Sequence, residues 1–128
     1  MQVPPFSLSQ QIDDLGVDLE EAVLEVLRSC QYIGGRLIQK FEEAFATNVG
    51  CEHAVGCNSG TDALILALRG LGIGAGDEVI TCSFSFFATA EAISAVGATP
   101  VFVDVDPSTY LIDFNQIEAA ITPDTKAL

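Results

Sequence analysis

The residues with the clearest chemical potential form the segment Cys-Asn-Ser-Gly-Thr-Asp at positions 57–62. It lies between a short apolar run at residues 54–55 and a longer one at residues 63–68, an order that predicts a strand, a tight turn and a helix. Ser59 is placed to cap the helix, and Asp62 three residues later completes the pattern of a capping box. Gly60 has no side chain that would obstruct a ligand approaching the turn.

A helix start of this kind is suited to anion binding. Its first N–H groups have no partner within the helix, and the positive end of the helix dipole favours a phosphate. The segment therefore predicts a phosphate site at the Gly60-Thr61 turn. An ordinary capped helix start is the alternative that these residues alone leave open, because Ser and Asp are common capping residues.

An aromatic segment, Ser-Phe-Ser-Phe-Phe-Ala-Thr-Ala at residues 83–90, follows a predicted strand at residues 78–82. Open α/β sheets bind their ligands at the carboxyl ends of the strands. We expect one of Phe84, Phe86 and Phe87 to cover the face of a planar ligand whose phosphate lies at the Gly60-Thr61 turn. The alternative is that all three rings pack in the core.

The elements that must position these segments alternate regularly from His53 onward, in the order βαβαβα. This order predicts a mostly parallel sheet with right-handed crossovers and helices on both faces. The predicted elements are strand 53–57, helix 61–70, strand 78–82, helix 86–96, strand 99–104 and helix 115–121, with a further strand beginning at residues 126–128.

The first 52 residues are predicted to form an N-terminal arm and two helices, and residues 53–128 an α/β domain. Residues 1–17 are expected to be loop-like. Asp18 and Glu21 form a capping box for a first helix that runs to about Ser29. A second helix follows the break at residues 31–35, with apolar residues on one face.

Composition excludes several classes of function. The 128 residues carry a net charge of −13, so a nucleic-acid partner and an anionic membrane surface are both disfavoured. The sequence has no apolar run near the roughly 20 residues of a membrane span and no basic start typical of a signal peptide. We therefore expect a cytoplasmic protein.

Four cysteines, at positions 30, 51, 57 and 82, include no C-x-x-C pair, and the sequence has a single histidine, His53. This spacing does not favour zinc, and buried free thiols are preferred to two disulfides.

The glycines at 70, 72, 74 and 76 follow a predicted helix and precede a strand, so they predict a helix end and a loop, not a dinucleotide fingerprint. Asp104, Asp106 and Asp113 are interpreted as turn and capping residues in preference to a magnesium site.

The chain resembles the N-terminal portion of the DegT family of sugar aminotransferases, which are fold-type-I enzymes dependent on pyridoxal 5′-phosphate. The resemblance spans nearly the whole chain in the expected order. Five blocks carry it: Tyr-Ile-Gly-Gly at 32–35 with Phe-Glu at 41–42, Asn-Ser-Gly-Thr-Asp-Ala-Leu at 58–64, Gly-Asp-Glu-Val-Ile at 76–80, Ser-Phe-Phe-Ala-Thr-Ala at 85–90 and Thr-Pro-Val-Phe-Val-Asp-Val-Asp at 99–106.

The resemblance implies that the turn at Ser59, Gly60 and Thr61 binds the cofactor phosphate, with the last two doing so through backbone N–H groups. It implies that Phe86 stacks on the cofactor ring. It also implies that Phe6 and Tyr32 lie near the sugar-nucleotide substrate, close to the second subunit of a homodimer. On the same resemblance, residues 53–128 are an incomplete large domain.

The family's cofactor-binding lysine and the aspartate that pairs with the pyridine nitrogen fall beyond residue 128. Neither Lys40 nor Lys126 matches the lysine motif, so no catalytic residue is assigned and this chain alone is expected to be inactive. A smaller departure is Arg36, where the family often has proline. The sequence thus predicts the N-terminal part of an aminotransferase that transfers an amino group from a donor such as glutamate to a keto sugar nucleotide. A non-catalytic regulatory or binding homologue and a free-standing phosphate-binding module are the alternatives.

Overall fold

The structure, a computed structural model, describes residues 4–128, and the first three residues of the predicted arm lie outside this range. The chain divides into two compact units between Gly56 and Cys57.

The first unit contains helix α1, Ser9–Ser29, and helix α2, Arg36–Val49. The predicted loop through residue 17 is wrong for residues 9–15, which are helical, because this stretch contains no proline and Ile12 N donates to Leu8 O at 3.0 Å. The helical geometry is interrupted only at Gly16 (φ 52°, ψ −135°), two residues before the predicted start at Asp18. Within residues 4–128, the Asp18 side chain accepts no hydrogen bond, so the predicted capping box of Asp18 and Glu21 is not formed.

The apolar sides of both helices are largely exposed. No residue of α1 is buried, and α2 buries only Ala46. α2 ends where Gly50 adopts a left-handed conformation (φ 73°), from which its N–H reaches the carbonyl oxygens of Ala46 and Thr47. A glycine suits this position because it has no Cβ to clash there.

The second unit is an α/β structure, as predicted. Its elements are α3 (Gly60–Gly70), β1 (Glu78–Cys82), α4 (Ala88–Ala95), β2 (Thr99–Val103), α5 (Phe114–Ala120) and β3 (Thr125–Ala127). The last helix begins as expected, because the Asp113 carboxylate accepts from Asn115 N at 3.0 Å and from Gln116 Nε2 at 2.8 Å. The short strand β3 confirms the strand predicted near residue 126.

The three strands form a parallel sheet in the order β2-β1-β3. β1 pairs with β2 from Glu78 opposite Thr99 to Cys82 opposite Val103. From β1 the chain passes through α4 to β2, which lies on one side of β1. From β2 it passes through α5 to β3, which lies on the other side of β1. Right-handed crossovers in opposite directions place these two helices on opposite faces of the sheet. Because α3 packs against α4, it covers the α4 face.

The core includes both faces of β1. Val79 and Ile80 are neighbours on this strand and point to opposite faces of the sheet, and they are only 5% and 2% exposed. One buried cluster comprises Ile73, Val79, Ile93 and Ala98. This packing holds β1 in place, and the aromatic segment at residues 83–90 begins at the carboxyl end of that strand.

The predicted strand at residues 53–57 is wrong, and the order in the second unit is αβαβαβ rather than βαβαβα. Residues 53–57 are irregular, and Val55 is 80% exposed. An apolar run becomes a strand only when a neighbour completes its hydrogen-bond ladder, and within residues 4–128 this run pairs with none of the three strands of the sheet. The segment is instead fixed by the Glu42 carboxylate, which accepts a hydrogen bond from Gly56 N at 2.7 Å.

Among the described residues, no helix combines the length and the apolar character needed to cross a membrane.

Candidate cofactor site

The turn that opens α3 is capped as the sequence predicts. Ser59 has extended backbone angles (φ −158°, ψ 161°), and its Oγ accepts a hydrogen bond from Asp62 N at 3.1 Å. Ser59 O accepts from Ala63 N at 3.0 Å. The return bond of a full capping box, from Ser59 N to the Asp62 carboxylate, is not formed in the described chain. Ser59 is therefore the capping residue, and Asp62 contributes a negative charge in the first turn.

The first two amides of α3 are available to a ligand. Within residues 4–128, the N–H groups of Gly60 and Thr61 have no hydrogen-bond acceptor, whereas those of Asp62 and Ala63 are bound to Ser59. The Ser59 hydroxyl accepts one bond and still has its own hydrogen to donate. A Cβ placed on Gly60 would meet no atom within 4 Å, so the turn is unobstructed on the side of this residue. The donor set fits a phosphate group.

The charge around the turn does not assist binding. Residues 57–68 contain no lysine or arginine, and Asp62 lies in the first turn of the helix. Attraction for an anion here rests on the free amides, the Ser59 hydroxyl and the helix dipole.

The aromatic segment lies at the same edge of the sheet as the turn. α3 leads through a short loop into the amino end of β1, so the start of α3 lies toward the carboxyl end of that strand. Residues 83–87 leave that carboxyl end directly and lead into α4. The topology therefore brings the Gly60-Thr61 turn and Phe86 to the edge where parallel sheets bind ligands.

The alternative that the three phenylalanines pack in the core is wrong. Phe84, Phe86 and Phe87 are 67%, 81% and 74% exposed. Phe86 is the most exposed, yet its backbone is fixed because Phe86 O accepts from Thr89 N at 3.0 Å. The hydroxyls of Ser85 and Thr89 are 2.8 Å apart and hydrogen-bonded. Phe86 thus presents a free ring on a hydrogen-bonded backbone.

A link between the ends of two strands was missed by the sequence analysis. Ser83 N donates to Val103 O at 3.0 Å, and Ser83 Oγ donates to Asp104 Oδ1 at 3.3 Å. The sequence does show that Ser83 and Asp104 each come directly after a predicted strand. It does not show that the two strands are neighbours in the register that places Cys82 opposite Val103, and the link depends on that register.

The chain after β2 forms a small hairpin, which confirms the turn interpretation of the aspartates. Asp106 Oδ1 accepts from Ser108 N at 2.7 Å, from Thr109 N at 3.1 Å and from the Ser108 hydroxyl. The Ser108 hydroxyl, followed by the Ser108 and Thr109 amides, lowers the pKa of Asp106 below its usual value. The Gln116 side chain, followed by the Asn115 amide, lowers the pKa of Asp113. Among residues 4–128, no group of three or more potential ligands could hold a metal ion.

The glycine-rich segment is a helix end and loop, as predicted. Helix α3 ends at Gly70. In the loop that follows, Gly72 and Gly76 have positive φ angles of 75° and 93°. Gly74 N donates to the Asp77 carboxylate at 2.9 Å.

The expectation of buried thiols is wrong. All four cysteines are free, as expected, but Cys30, Cys51 and Cys57 are exposed and Cys82 is only half-buried. Cys51 and Cys57 flank the irregular stretch that replaces the predicted strand, and Cys30 follows the unburied helix α1, so none of these three lies in a packed element.

The remaining predicted site residues lie in the first unit. Phe6 is 75% exposed, and Tyr32 donates its hydroxyl to Leu27 O at 3.0 Å. Tyr32 lines an open cleft of about 510 Å³ together with Cys30, Gln31, Ile33 and Gly35. Beside it, Arg36 forms an ion pair with Glu25 at 3.5 Å.

The two lysines are both exposed. Lys126 Nζ donates to Pro123 O at 3.0 Å, and Lys40 lies on the surface of α2. Neither amine is desolvated in a pocket, which is the condition that activates a lysine for covalent catalysis.

Residues 13–128 match the DegT/DnrJ/EryC1/StrS aminotransferase family. The chain belongs to this family. Its relatives include a pleiotropic regulatory protein of Geobacillus stearothermophilus, 46% identical over all of this chain and 34% of that protein. They also include the UDP-N-acetyl-3-dehydro-α-D-glucosamine 3-aminotransferase of Acidithiobacillus ferrooxidans, 48% identical over 98% of this chain and 34% of that enzyme. The chain thus spans about a third of the length of these relatives.

Solved structures of the family superpose closely on the chain. S. venezuelae DesV in complex with a ketimine intermediate has a TM-score of 0.94 and 46% identity, covering 99% of this chain and 34% of DesV. NtdA from Bacillus subtilis with bound cofactor PMP has a TM-score of 0.89 and 37% identity, covering 98% of this chain and 29% of NtdA. The fold of the chain is therefore that of the N-terminal part of a fold-type-I aminotransferase.

Proposed function

We propose that this chain supplies the N-terminal part of the cofactor site in a pyridoxal 5′-phosphate-dependent aminotransferase that acts on a keto sugar nucleotide in amino-sugar biosynthesis. The observation that carries the proposal is the capped start of α3, where Gly60 and Thr61 present two unbonded N–H groups at the carboxyl edge of the sheet. The A. ferrooxidans relative acts on a sugar nucleotide, and NtdA binds PMP, which supports both the substrate class and the cofactor.

The residues of this chain bind and orient. The amides of Gly60 and Thr61 and the hydroxyl of Ser59 donate to the cofactor phosphate, and the ring of Phe86 covers the cofactor ring. The bound cofactor would supply the electron sink for amino-group transfer. Phe6 and Tyr32 contribute to the sugar-nucleotide site.

The proposal assigns no chemical step to the lysines of this chain. Lys40 and Lys126 are exposed, so neither amine has the desolvated surroundings that activate a lysine for covalent catalysis. Residues 53–128 are accordingly assigned as part of a larger cofactor-binding domain. A cytoplasmic homodimer that uses an amino acid such as glutamate as donor completes the proposal.

The proposal is tested with the protein encoded by the complete gene, purified with pyridoxal 5′-phosphate. It is mixed with 3-keto and 4-keto sugar nucleotides and with glutamate, and the products are separated by mass. We expect an amino sugar nucleotide and one equivalent of 2-oxoglutarate, and neither product when glutamate is omitted. Cofactor-loaded protein that aminates none of these substrates would count against the proposal.

A second candidate, a regulatory homologue without catalysis, is favoured by one finding. The G. stearothermophilus relative matches the whole of this chain at 46% identity and is a pleiotropic regulatory protein. The same assay separates the two candidates. A regulatory homologue would retain its fold and give no 2-oxoglutarate with any keto sugar nucleotide.

A further inference from the structure

The ends of β1 and β2 are joined by more than the sheet ladder. The regular pairing stops at Cys82 opposite Val103, and Ser83 extends it by one bond, from its N–H to Val103 O at 3.0 Å. The Ser83 hydroxyl then donates to Asp104 Oδ1 at 3.3 Å. The chain turns away from the sheet only beyond this point, so Ser83 and Asp104 form the base from which the aromatic segment begins.

Asp104 is itself fixed from the other side. Its Oδ1 accepts a second hydrogen bond, from Val105 N at 2.8 Å, and its carbonyl oxygen accepts from Asp113 N at 2.9 Å. The latter bond closes the hairpin that follows β2, in which Val105 pairs with Ile112. The carboxylate that binds Ser83 therefore belongs to a closed loop and not to a free chain.

The same hairpin supports the aromatic segment through a ring contact. Tyr110, at the far end of the hairpin, lies with its ring 6.0 Å from that of Phe84 at an interplanar angle of 41°. Tyr110 has a positive φ of 57°, and its N–H donates to Asp106 O at 2.8 Å. A left-handed tyrosine persists only where its surroundings hold it, so the hairpin presents this ring at a defined place.

We infer that Asp104 is a positioning residue that, through Ser83, fixes the aromatic segment and thereby orients the ring of Phe86 for stacking. The inference rests on the proposed function, because stacking requires the cofactor. Phe86 itself has an exposed ring and a bonded carbonyl, so the backbone on which it is carried sets the direction of its Cα–Cβ bond and thus the positions that its ring can reach. Asp104 holds the beginning of that backbone, and the Ser85–Thr89 bond holds its end.

The experiment is a double-mutant cycle in the protein encoded by the complete gene. The dissociation constant of pyridoxamine 5′-phosphate is measured for the wild type, Ser83→Ala, Phe86→Ala and the double variant, together with the induced circular dichroism of the bound cofactor. Because one hydrogen bond is removed, we expect Ser83→Ala to weaken binding by about threefold to tenfold and to alter the dichroism. In the Phe86→Ala background, Ser83→Ala is expected to have no effect, since its influence passes through that ring.

Two variants of Asp104 complete the test. Asp104→Asn retains an oxygen acceptor for Ser83 and is expected to bind the cofactor like the wild type, whereas Asp104→Ala is expected to match Ser83→Ala. Hydrogen exchange of the amides at residues 84–87 provides a readout without cofactor, and it should accelerate in Ser83→Ala and Asp104→Ala but not in Asp104→Asn.

The outcomes separate this inference from the proposed function. If the wild type binds pyridoxamine 5′-phosphate and Ser83→Ala weakens binding equally with and without Phe86, the inference is wrong and the proposed function stands. If the wild type does not bind this compound, the proposed function fails. In that case unchanged exchange at residues 84–87 would overturn the positioning role as well, and accelerated exchange would support it.

Discussion

Ser59 Oγ and Asp62 N are joined by a hydrogen bond of 3.1 Å that begins α3. Ser59 binds the third amide of the helix, whereas those of Gly60 and Thr61 have no acceptor within residues 4–128. We propose that helix initiation and ligand binding share the Ser59 side chain, and the two roles can be separated by mutation.

The capping role predicts a loss of stability in Ser59→Ala. Removing the acceptor leaves Asp62 N without its partner, which typically costs about 1 kcal/mol of unfolding free energy, whereas Ser59→Gly should cost only a few tenths of that. Urea unfolding of the 128-residue chain measures both. Ser94→Ala is a matched control, because the Ser94 hydroxyl makes no hydrogen bond within residues 4–128. Equal stability of Ser59→Ala and Ser94→Ala would show that the cap contributes nothing.

Acid should weaken the hairpin and the start of α5. The pKa values of Asp106 and Asp113 both lie below the usual 3.8, because hydrogen bonds stabilise the two carboxylates. A carboxylate whose pKa is lower in the folded state than in the unfolded state stabilises the fold at pH values above its unfolded pKa. This stabilisation is lost as the pH falls through the folded pKa. We expect the unfolding free energy to decline below about pH 4, and the decline to be smaller in Asp106→Asn/Asp113→Asn. An identical pH profile for the variant would contradict this assignment.

The isolated 128-residue chain should form no site-specific covalent adduct with pyridoxal 5′-phosphate and should show no aminotransferase activity. Lys40 and Lys126 are exposed amines without a surrounding pocket. After incubation with the cofactor and borohydride reduction, peptide mass spectrometry should find no more label on these lysines than on the urea-unfolded chain. Preferential labelling of either lysine in the folded chain would refute the prediction.

The isolated chain is also expected to self-associate as salt rises. Large apolar side chains are exposed along α1, among them Ile12, Val23 and Leu27. The net charge of −13 opposes association, but at physiological salt charge repulsion is screened to about 8 Å while apolar contact is unaffected. Sedimentation velocity at low and high salt, with a hydrophobic dye as second probe, measures the effect. A compact, dye-negative monomer under both conditions would favour a self-sufficient binding module.

Local patterns in the sequence were sufficient to predict most of the helices and strands of the second unit. β1 was predicted at its observed bounds, and the cap residues Ser59 and Asp113 were both identified, because capping and strand patterns depend on neighbours in the chain. The strand at residues 53–57 was wrong because a strand depends on a partner, and the pattern of Ala54 and Val55 does not reveal whether one is present.

The site was predictable only in part for the same reason. The turn at Gly60 is a local feature and was found. The link between Ser83 and Asp104 depends on the register of β1 against β2, which no local pattern specifies. The exposure of Phe84, Phe86 and Phe87 likewise depends on what packs against the carboxyl edge, and apolar composition alone was compatible with a core position.

The cofactor affinity of Gly60→Val, in the protein encoded by the complete gene, tests the central claim most directly. A Cβ at this position meets no atom within 4 Å and Gly60 has no positive φ, so the variant should fold normally while adding a branched side chain beside the two free amides. Gly70→Val makes the same change at the other end of α3, also into open space. We predict that the dissociation constant of pyridoxamine 5′-phosphate rises more than about tenfold, or 1.4 kcal/mol, in Gly60→Val and stays unchanged in Gly70→Val. Equal affinity of a folded Gly60→Val protein and the wild type would contradict the assignment of this turn as the phosphate site.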